Sequence, residues 1–162
     1  MVVSLHKVSR SNWRQVIELD VGPDQHHLIS PNVRSLAEAY VHGAAYPLAI
    51  HADSCSDPQP QEPMVGFAMY EVTDAGIGFI MKLMIDHGYQ GRGYGRAAMV
   101  ELIRRLKLHP QVQKIATSHR IENTAASQLY GSLGFVVWDV SHWKVKKEGE
   151  VYLILDEAGA AD

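Results

Sequence analysis

Residues 77–96 read IGFIMKLMIDHGYQGRGYGR. The apolar run at residues 77–85 is broken only by Gly78 and Lys82, a pattern that predicts a central strand buried on both faces. A glycine-rich turn follows, and an apolar stripe at helical spacing comes next: Met99, Leu102, Ile103 and Leu106. The order strand, glycine-rich turn, helix is typical of anion-binding sites, because a helix N-terminus presents free N–H groups.

The turn itself has the composition of a phosphate cradle. Gly91, Gly93 and Gly95 let backbone N–H groups point inward without obstruction from side chains, and the following helix adds the positive end of its dipole. Arg92 and Arg96 supply cationic partners at the rim. We therefore predict that this turn holds a pyrophosphate group.

Other interpretations of the glycines fit less well. The Rossmann fingerprint G-x-G-x-x-G would need the third glycine one residue later and an acidic residue farther on. The nucleotide P-loop would need Gly-Lys-Ser/Thr, which the sequence lacks. A plain tight turn stays open as the alternative without function.

Composition limits the class of protein. The chain has 162 residues, 46% of them hydrophobic, with a net charge of -3 and a single cysteine, Cys55. We expect one domain over residues 1–157, a disordered tail at 158–162 and a reducing cytoplasm, since unpaired Cys55 excludes a disulfide scaffold or a zinc site of paired thiolates. No apolar run is long enough to cross a bilayer, so we expect no membrane partner.

Charge is distributed unevenly along the chain. Residues 1–75 carry a balance of -5, whereas residues 86–120, around the glycine turn, carry +5. A local basic zone on an acidic protein favours a bound anion over nucleic acid, which usually needs a broad basic face.

Hydrophobic period and turn residues predict the remaining elements. The strands are expected at residues 2–8, 46–51, 64–71, 77–85, 114–119, 135–140 and 151–155. The helices are expected around Trp13 to Ile17 with Ser9 or Ser11 as the cap, from residue 31 to Gly43, after the glycine turn up to Pro110, and over residues 123–133. Cys55, Pro58 and Pro60 fall in the expected tip of a long hairpin.

Two motifs together resemble a known family. Gln90 to Gly95 reads QGRGYG and is similar to the acyl-CoA signature Q/R-x-x-G-x-G/A of the GCN5-related N-acetyltransferase (GNAT) superfamily. Residues 123–135, NTAASQLYGSLGF, are similar to its N-x-x-A-x-x-L-Y-x-x-x-G-F stretch. The stretches VGFAMY at 65–70 and LMID at 83–86 resemble the spermine/spermidine acetyltransferase-like branch.

The resemblance implies an α/β fold with a mixed, mostly antiparallel sheet of about seven strands that splays between the fourth and fifth. It implies acetyl-CoA as cosubstrate, with the pantetheine beside Leu83, Met84 and Ile85 and near Asn123. The pyrophosphate would lie on Gln90, Gly91, Arg92, Gly93, Tyr94, Gly95 and Arg96. Tyr130 matches the family's general acid, which protonates the leaving thiolate, although packing against Phe135 would also explain a tyrosine there.

The general base is the open part of the chemistry. An alkylamine has a pKa near 10, so about a thousandth is neutral and reactive at pH 7. Family members often place an acidic residue on the central strand, where this chain has only Lys82 as an ionisable group. Glu71 is the first substitute, followed by Asp24, His26 and Glu38.

These observations predict an acetyl-CoA-dependent N-acetyltransferase acting on a small cationic amine, with a polyamine such as spermidine or spermine favoured and Asp24 and Glu38 binding it. A protein amino terminus, a lysine side chain, an aminoglycoside, a noncatalytic acyl-CoA sensor and a nucleotide-binding regulatory domain stay open. The adjacent His26 and His27 lack a third ligand in the sequence, so we expect no metal. Dimers are common in the superfamily, which makes a homodimer an expected assembly.

Overall fold

The computed structural model describes residues 1–53 and 62–157, so Cys55, the predicted hairpin tip and the predicted tail at 158–162 lie outside the described residues. The elements follow the predicted order: β1 (Val2–Lys7), α1 (Trp13–Glu18), α2 (Asn32–His42), β2 (Ala45–Asp53), β3 (Met64–Val72), β4 (Ile77–Ile85), α3 (Tyr94–Lys107), β5 (Lys114–Arg120), α4 (Thr124–Ser132), β6 (Phe135–Val137) and β7 (Glu150–Leu155). Gly43 ends α2, as predicted, and has the left-handed conformation that favours glycine at a helix C-terminus.

The strands form one seven-stranded sheet in the order β1-β2-β3-β4-β5-β7-β6. Neighbours are antiparallel except β4 and β5, which are parallel. The β4–β5 ladder joins only Ile77 to Ile80 with Lys114 to Thr117. Beyond Ile80 the two strands separate, and the predicted splay therefore opens in the second half of β4.

A β-bulge on β4 coincides with the start of this opening. Met69 pairs with Lys82, whereas the next residue of β3, Tyr70, pairs with Ile80, so Met81 is the extra residue. A bulge bends its strand and redirects the side chains that follow it. The change in direction occurs where β4 leaves β5.

Two hydrophobic clusters cover the two faces of the sheet. One includes Met99, Leu102 and Leu106 of α3, and the other includes Val16 of α1 and Ala39 of α2. The prediction that β4 is buried on both faces is wrong: β4 alternates between buried and half-buried residues, whereas β3 is buried from Met64 to Tyr70. The opening accounts for Leu83, which lines both cavities and is half-buried, whereas Ile77 and Phe79 are half-buried within the part of β4 that pairs with β5.

Two boundaries also differ from the sequence prediction. Strand β6 ends at Val137 instead of residue 140, and Trp138 instead lies edge-to-face against Trp143, which packs on Tyr152 of β7. Helix α1 has no side-chain cap, although Asn12 at its start accepts a hydrogen bond from the Ser9 backbone at 2.8 Å. Within residues 1–53 and 62–157, no helix has the length and apolar character that a membrane span requires.

Candidate active site

Two cavities meet in the opening between β4 and β5. The α3-side cavity, of about 480 Å³, lies at the glycine turn and the start of α4. The α2-side cavity, of about 460 Å³, lies between the 26–38 segment, β4, β5 and β7. Their shared lining marks the junction: Leu28, Ile29, Leu83, Asn123, Ala126 and Tyr130.

The glycine turn forms one wall of the α3-side cavity. Gly91 and Gly93 have φ of 73° and 86°, a left-handed conformation that favours glycine. Gly93 is the N-cap of the 14-residue helix α3 and supplies no side-chain cap. The first N–H groups of α3 are therefore free to bind an anion in this cavity.

Most of the predicted cofactor residues line the α3-side cavity. They are Leu83, Met84, Ile85, Gln90, Gly91, Gly93, Tyr94, Gly95 and Asn123. The two arginines do not: the Arg92 guanidinium lies 5.7 Å from the Tyr89 ring, and Arg96 donates to the Ser132 hydroxyl at 2.7 Å. The two guanidinium groups therefore lie outside the lining of the α3-side cavity.

The Gln90 side chain braces the turn. Its amide nitrogen donates to the carbonyl of Ile85 at 3.0 Å and to that of Val21 at 3.3 Å. Its amide oxygen accepts from Gln25 at 2.7 Å. The signature glutamine thus ties the turn to the end of β4 and to the loop before α2, which leaves its backbone to face a ligand.

Asn123 connects α4 to the junction. Its side-chain oxygen accepts a hydrogen bond from the Ala126 N–H at 3.1 Å and thereby caps the helix. Its amide nitrogen has no hydrogen-bond partner among the described residues, and the residue lines both cavities. Capping and ligand binding are compatible here.

Tyr130 lies at the junction and is only 6% exposed. Burial raises the pKa of Tyr130 to about 12, a hydrogen bond with Thr117 acts in the opposite direction, and nearby Glu150 raises it further. The ring packs against His119 and Phe135, with centroid distances of 6.1 and 5.9 Å. The phenol therefore keeps its proton at neutral pH, and the predicted packing against Phe135 is present as well.

The α2-side cavity has a mixed set of charges. Glu38 and Glu150 supply carboxylates, and the basic groups are Arg34, Lys82, Arg120 and Lys147. Glu38 accepts from the Arg34 guanidinium at 3.0 Å. Acidic residues are thus present on two walls, α2 and β7, but they do not dominate the cavity.

Several predicted side chains lie outside both cavities. Glu71 pairs with Ala45 and Phe79 in the sheet, and Asp24 lies in a short 3-10 turn. His26 does line the α2-side cavity and lies 2.7 Å from the Asp20 carboxylate. That hydrogen bond lowers the pKa of Asp20. In the described part of the chain, no three His, Cys, Asp or Glu side chains are grouped as a metal site would require.

Several ionisable residues that line the α2-side cavity had no predicted role at the site, among them Lys82, His119 and Glu150. The imidazole Nδ1 of His119 lies 2.7 Å from the Arg120 carbonyl, so Nδ1 is the donor of that hydrogen bond. A lone lysine in an apolar strand was the available signal for Lys82. His119 and Glu150 carried no such signal, because the sheet brings β7 beside β5 only in three dimensions.

The family model described as acetyltransferase (GNAT) family matches residues 14–135. No curated protein matches the sequence significantly.

Solved structures share the fold at low sequence identity. Spermidine N-acetyltransferase from Vibrio cholerae, in complex with CoA and spermine, has a TM-score of 0.69 and 16% identity over 94% of this chain and 92% of its own. Aminoglycoside acetyltransferase AAC(6')-Ib, in complex with coenzyme A and kanamycin, has a TM-score of 0.73 and 18% sequence identity, and the match covers 96% of this chain and 95% of that one. An acetyltransferase from Thermus thermophilus has a TM-score of 0.66 and 20% sequence identity, and the match covers 95% of this chain and 96% of that one.

Proposed function

Because the chain belongs to the acetyltransferase (GNAT) family and is an acetyl-CoA-dependent N-acetyltransferase, we propose that its acceptor is a primary amine of a polyamine such as spermidine or spermine. The observation that carries the proposal is the junction of two cavities at Leu83 and Tyr130. The α3-side cavity has the groups that a CoA moiety needs. An amine bound in the α2-side cavity would reach the same point from the opposite side.

The α3-side cavity fits the two polar parts of CoA. The free N–H groups at the start of α3, with Gly91 and Gly93 beside them, suit the pyrophosphate. Leu83, Met84 and Ile85 follow the end of the β4–β5 ladder, so one edge of β4 is open to the pantetheine amides. Asn123 adds an amide donor at the junction, and the backbone N–H near Leu83 is suited to stabilise the oxyanion that forms on attack.

Tyr130 would assist departure of the thiolate. An alkyl thiol has a pKa of about 8.5, well below the value of about 12 to which burial raises the pKa of Tyr130. Complete proton transfer from the phenol to sulfur is therefore uphill. We assign Tyr130 as a hydrogen-bond donor to the leaving sulfur, a refinement of the general-acid role that the resemblance implies.

The acceptor would bind in the α2-side cavity. Among the described residues, Glu38 forms an ion pair with Arg34 alone, an exposed i,i+4 pair of the kind that contributes about 0.3–0.5 kcal/mol, so an ammonium group can replace the guanidinium. Glu150 offers a second carboxylate on β7. The structural neighbour from Vibrio cholerae holds spermine, which supports a polyamine over amines without charge.

An aminoglycoside is the second candidate, since the neighbour AAC(6')-Ib holds kanamycin. The experiment is thiol release from acetyl-CoA with a panel of spermidine, spermine, kanamycin, free amino acids, and peptides with a free amino terminus or lysine. We expect the highest kcat/KM with a polyamine. A higher value with any other amine would reject the polyamine, and CoA binding without turnover of any amine would reject the enzymatic proposal.

Variants of two matched glutamates test the acceptor contact. Glu38→Gln should raise KM for spermidine about fivefold, equivalent to about 1 kcal/mol, and leave acetyl-CoA binding unchanged. Glu101→Gln is the control, because Glu101 also pairs with an arginine of its own helix, Arg104, but lines neither cavity. An equal effect of both variants would remove Glu38 from the acceptor site.

A further inference from the structure

Lys82 is a buried amine on the central strand beside the junction. It precedes Leu83, lines the α2-side cavity and is only 6% exposed. The Phe67 ring lies beneath it, with the ring centroid 5.6 Å from Nζ. No carboxylate of the described residues lies within ion-pair distance of Nζ, so the burial of this group is not explained by a salt bridge.

The hydrogen bonds of Lys82 fit a neutral amine. Nζ donates to the Ser30 carbonyl and, at 3.0 Å, to the Ser35 hydroxyl. A neutral amine has two N–H bonds and one lone pair, whereas an ammonium has three N–H bonds. Both donors of the neutral form therefore have acceptors, and the third direction has no hydrogen-bond partner among the described residues.

The surroundings lower the proton affinity of Lys82. Burial lowers its pKa to about 8, Glu38 acts in the opposite direction and Arg34 acts with burial. The other ionisable groups that line the same cavity belong to every element around it: His26, His27, His119, Arg120, Tyr130, Lys147 and Glu150. A proton acceptor is most efficient when its pKa lies near the working pH, and this amine meets that condition.

We propose that Lys82 is the proton acceptor for the attacking amine, which binds in the α2-side cavity. This assignment rests on the proposed acetyl transfer. It places a base on the central strand, where the sequence has no acidic residue. In the neutral form, donation of both N–H bonds to Ser30 and Ser35 leaves the lone pair of Nζ for the proton and holds the nitrogen in position for the transfer.

The acceptor amine reacts in its neutral form. The amine nitrogen attacks the thioester carbon, forming the C–N bond, and the positively charged nitrogen gives a proton to Lys82 Nζ. The C–S bond breaks and the thiolate leaves, with the Tyr130 hydroxyl as hydrogen-bond donor. Lys82 then releases its proton to water and the thiolate takes one from water, so the products are the amide and the CoA thiol.

The test compares Lys82→Met with Lys82→Arg using the best amine of the panel. Methionine fills a similar volume without a base, and arginine keeps a positive charge and donors but stays protonated. We expect both variants to lose about 100-fold or more in kcat while the acetyl-CoA Kd changes less than about twofold. The rise of wild-type kcat with pH up to about 8 should disappear in both.

Recovery of half or more of the wild-type kcat in Lys82→Arg, or an unchanged pH profile in Lys82→Met, would show a merely structural role. His119→Gln is the comparator, and a 100-fold loss there with activity kept in Lys82→Met would transfer the base to His119. Thermal melting and CoA binding confirm that each variant is folded.

A readout without turnover completes the test. Competitive labelling of wild-type lysines with acetic anhydride, followed by mass spectrometry, gives the titration midpoint of Lys82. We expect a midpoint well below that of exposed lysines. A midpoint above 10 would overturn the assignment whether or not any amine is acetylated, whereas an inactive enzyme with the low midpoint would overturn only the proposed function.

Discussion

Desolvation shifts the pKa values of Lys82 and Tyr130 in opposite directions, to about 8 and about 12. The physical cause is the same, because burial penalises the charged form of each side chain. Burial therefore makes the neutral form of Lys82 accessible near pH 8 and keeps the Tyr130 phenol protonated at that pH. A neutral amine and a neutral phenol suit a reaction in which a neutral nucleophile attacks and a thiolate departs.

Removal of the Tyr130 hydroxyl tests its part in this chemistry. Tyr130→Phe should lower kcat about 10- to 100-fold, the range expected for a lost hydrogen bond to a charged group, with acetyl-CoA binding nearly unchanged. Steady-state kinetics and CoA titration provide the measurement. An unchanged kcat would leave Tyr130 with its packing role against Phe135 only.

Lys82 also makes stability depend on pH in a defined direction. Below pH 8 the folded and unfolded chains both bind the proton; between pH 8 and 10.5 the unfolded chain binds more, so the free energy of unfolding rises with pH. The free energy of unfolding increases by about 3 kcal/mol over that pH range. The unfolding free energy of wild type should therefore increase relative to that of Lys82→Met between pH 7 and 10.5.

Urea unfolding of both proteins at each pH gives this difference directly, since other titrating groups are common to the two chains. A difference that stays constant with pH would mean that Lys82 keeps an ordinary lysine pKa. That result would also weaken the case for Lys82 as proton acceptor.

At the scale of the elements, the strand, turn and helix over residues 77–107 form one functional unit. The bulge at Met81 lies where β4 leaves β5, Gln90 ties the turn back to Ile85, and Gly93 begins α3 with free N–H groups. Each local feature thus opens or holds the same cavity. Glycine is favoured at residues 91 and 93 of this unit, because their positive φ would strain any residue with a side chain.

Two glycines with left-handed backbones test this view. Gly93→Ala and Gly43→Ala should each lower the unfolding free energy by about 1–2 kcal/mol, because alanine is strained at φ of 86° and 68°. Only Gly93→Ala should weaken CoA binding, by about tenfold or more, since Gly43 lines neither cavity. Calorimetric titration with CoA and urea unfolding measure the two effects. CoA affinity reduced equally by both would argue against the cradle.

At the scale of the whole molecule, the site is assembled from distant parts of the chain. The cavities join residues of the loop before α2, of β4, of α4 and of β7. A ligand that contacts several of these elements at once must favour the folded state. CoA binding is therefore expected to be coupled to global stability.

This coupling has an expected size. CoA at about 100 times its Kd should raise the unfolding free energy by about 2.7 kcal/mol and the melting temperature by about 5–10 °C. Differential scanning fluorimetry at increasing CoA concentration measures the shift, and Gly93→Ala at the same concentrations is the control. A wild-type melting temperature independent of CoA would contradict the assignment of the α3-side cavity.

The sequence was sufficient where the signal is local. Hydrophobic period, glycines and prolines predicted the order of the elements, and the motifs at residues 90–95 and 123–135 predicted the family. These features are readable because a turn at positive φ needs glycine and a helix start needs free N–H groups, whatever the rest of the fold does.

Tertiary structure alone decided which side chains meet. The sheet leaves Glu71 and Asp24 outside the cavities, places His119 beside Tyr130, and brings Glu150 next to β5 through strand pairing. It also buries Lys82, which the sequence showed only as a lysine at a position where the family often has an acid. The two hydrogen-bond acceptors of Lys82 come from α2 and the loop before it. Proton affinity depends on desolvation and neighbours, and residues distant in sequence supply both.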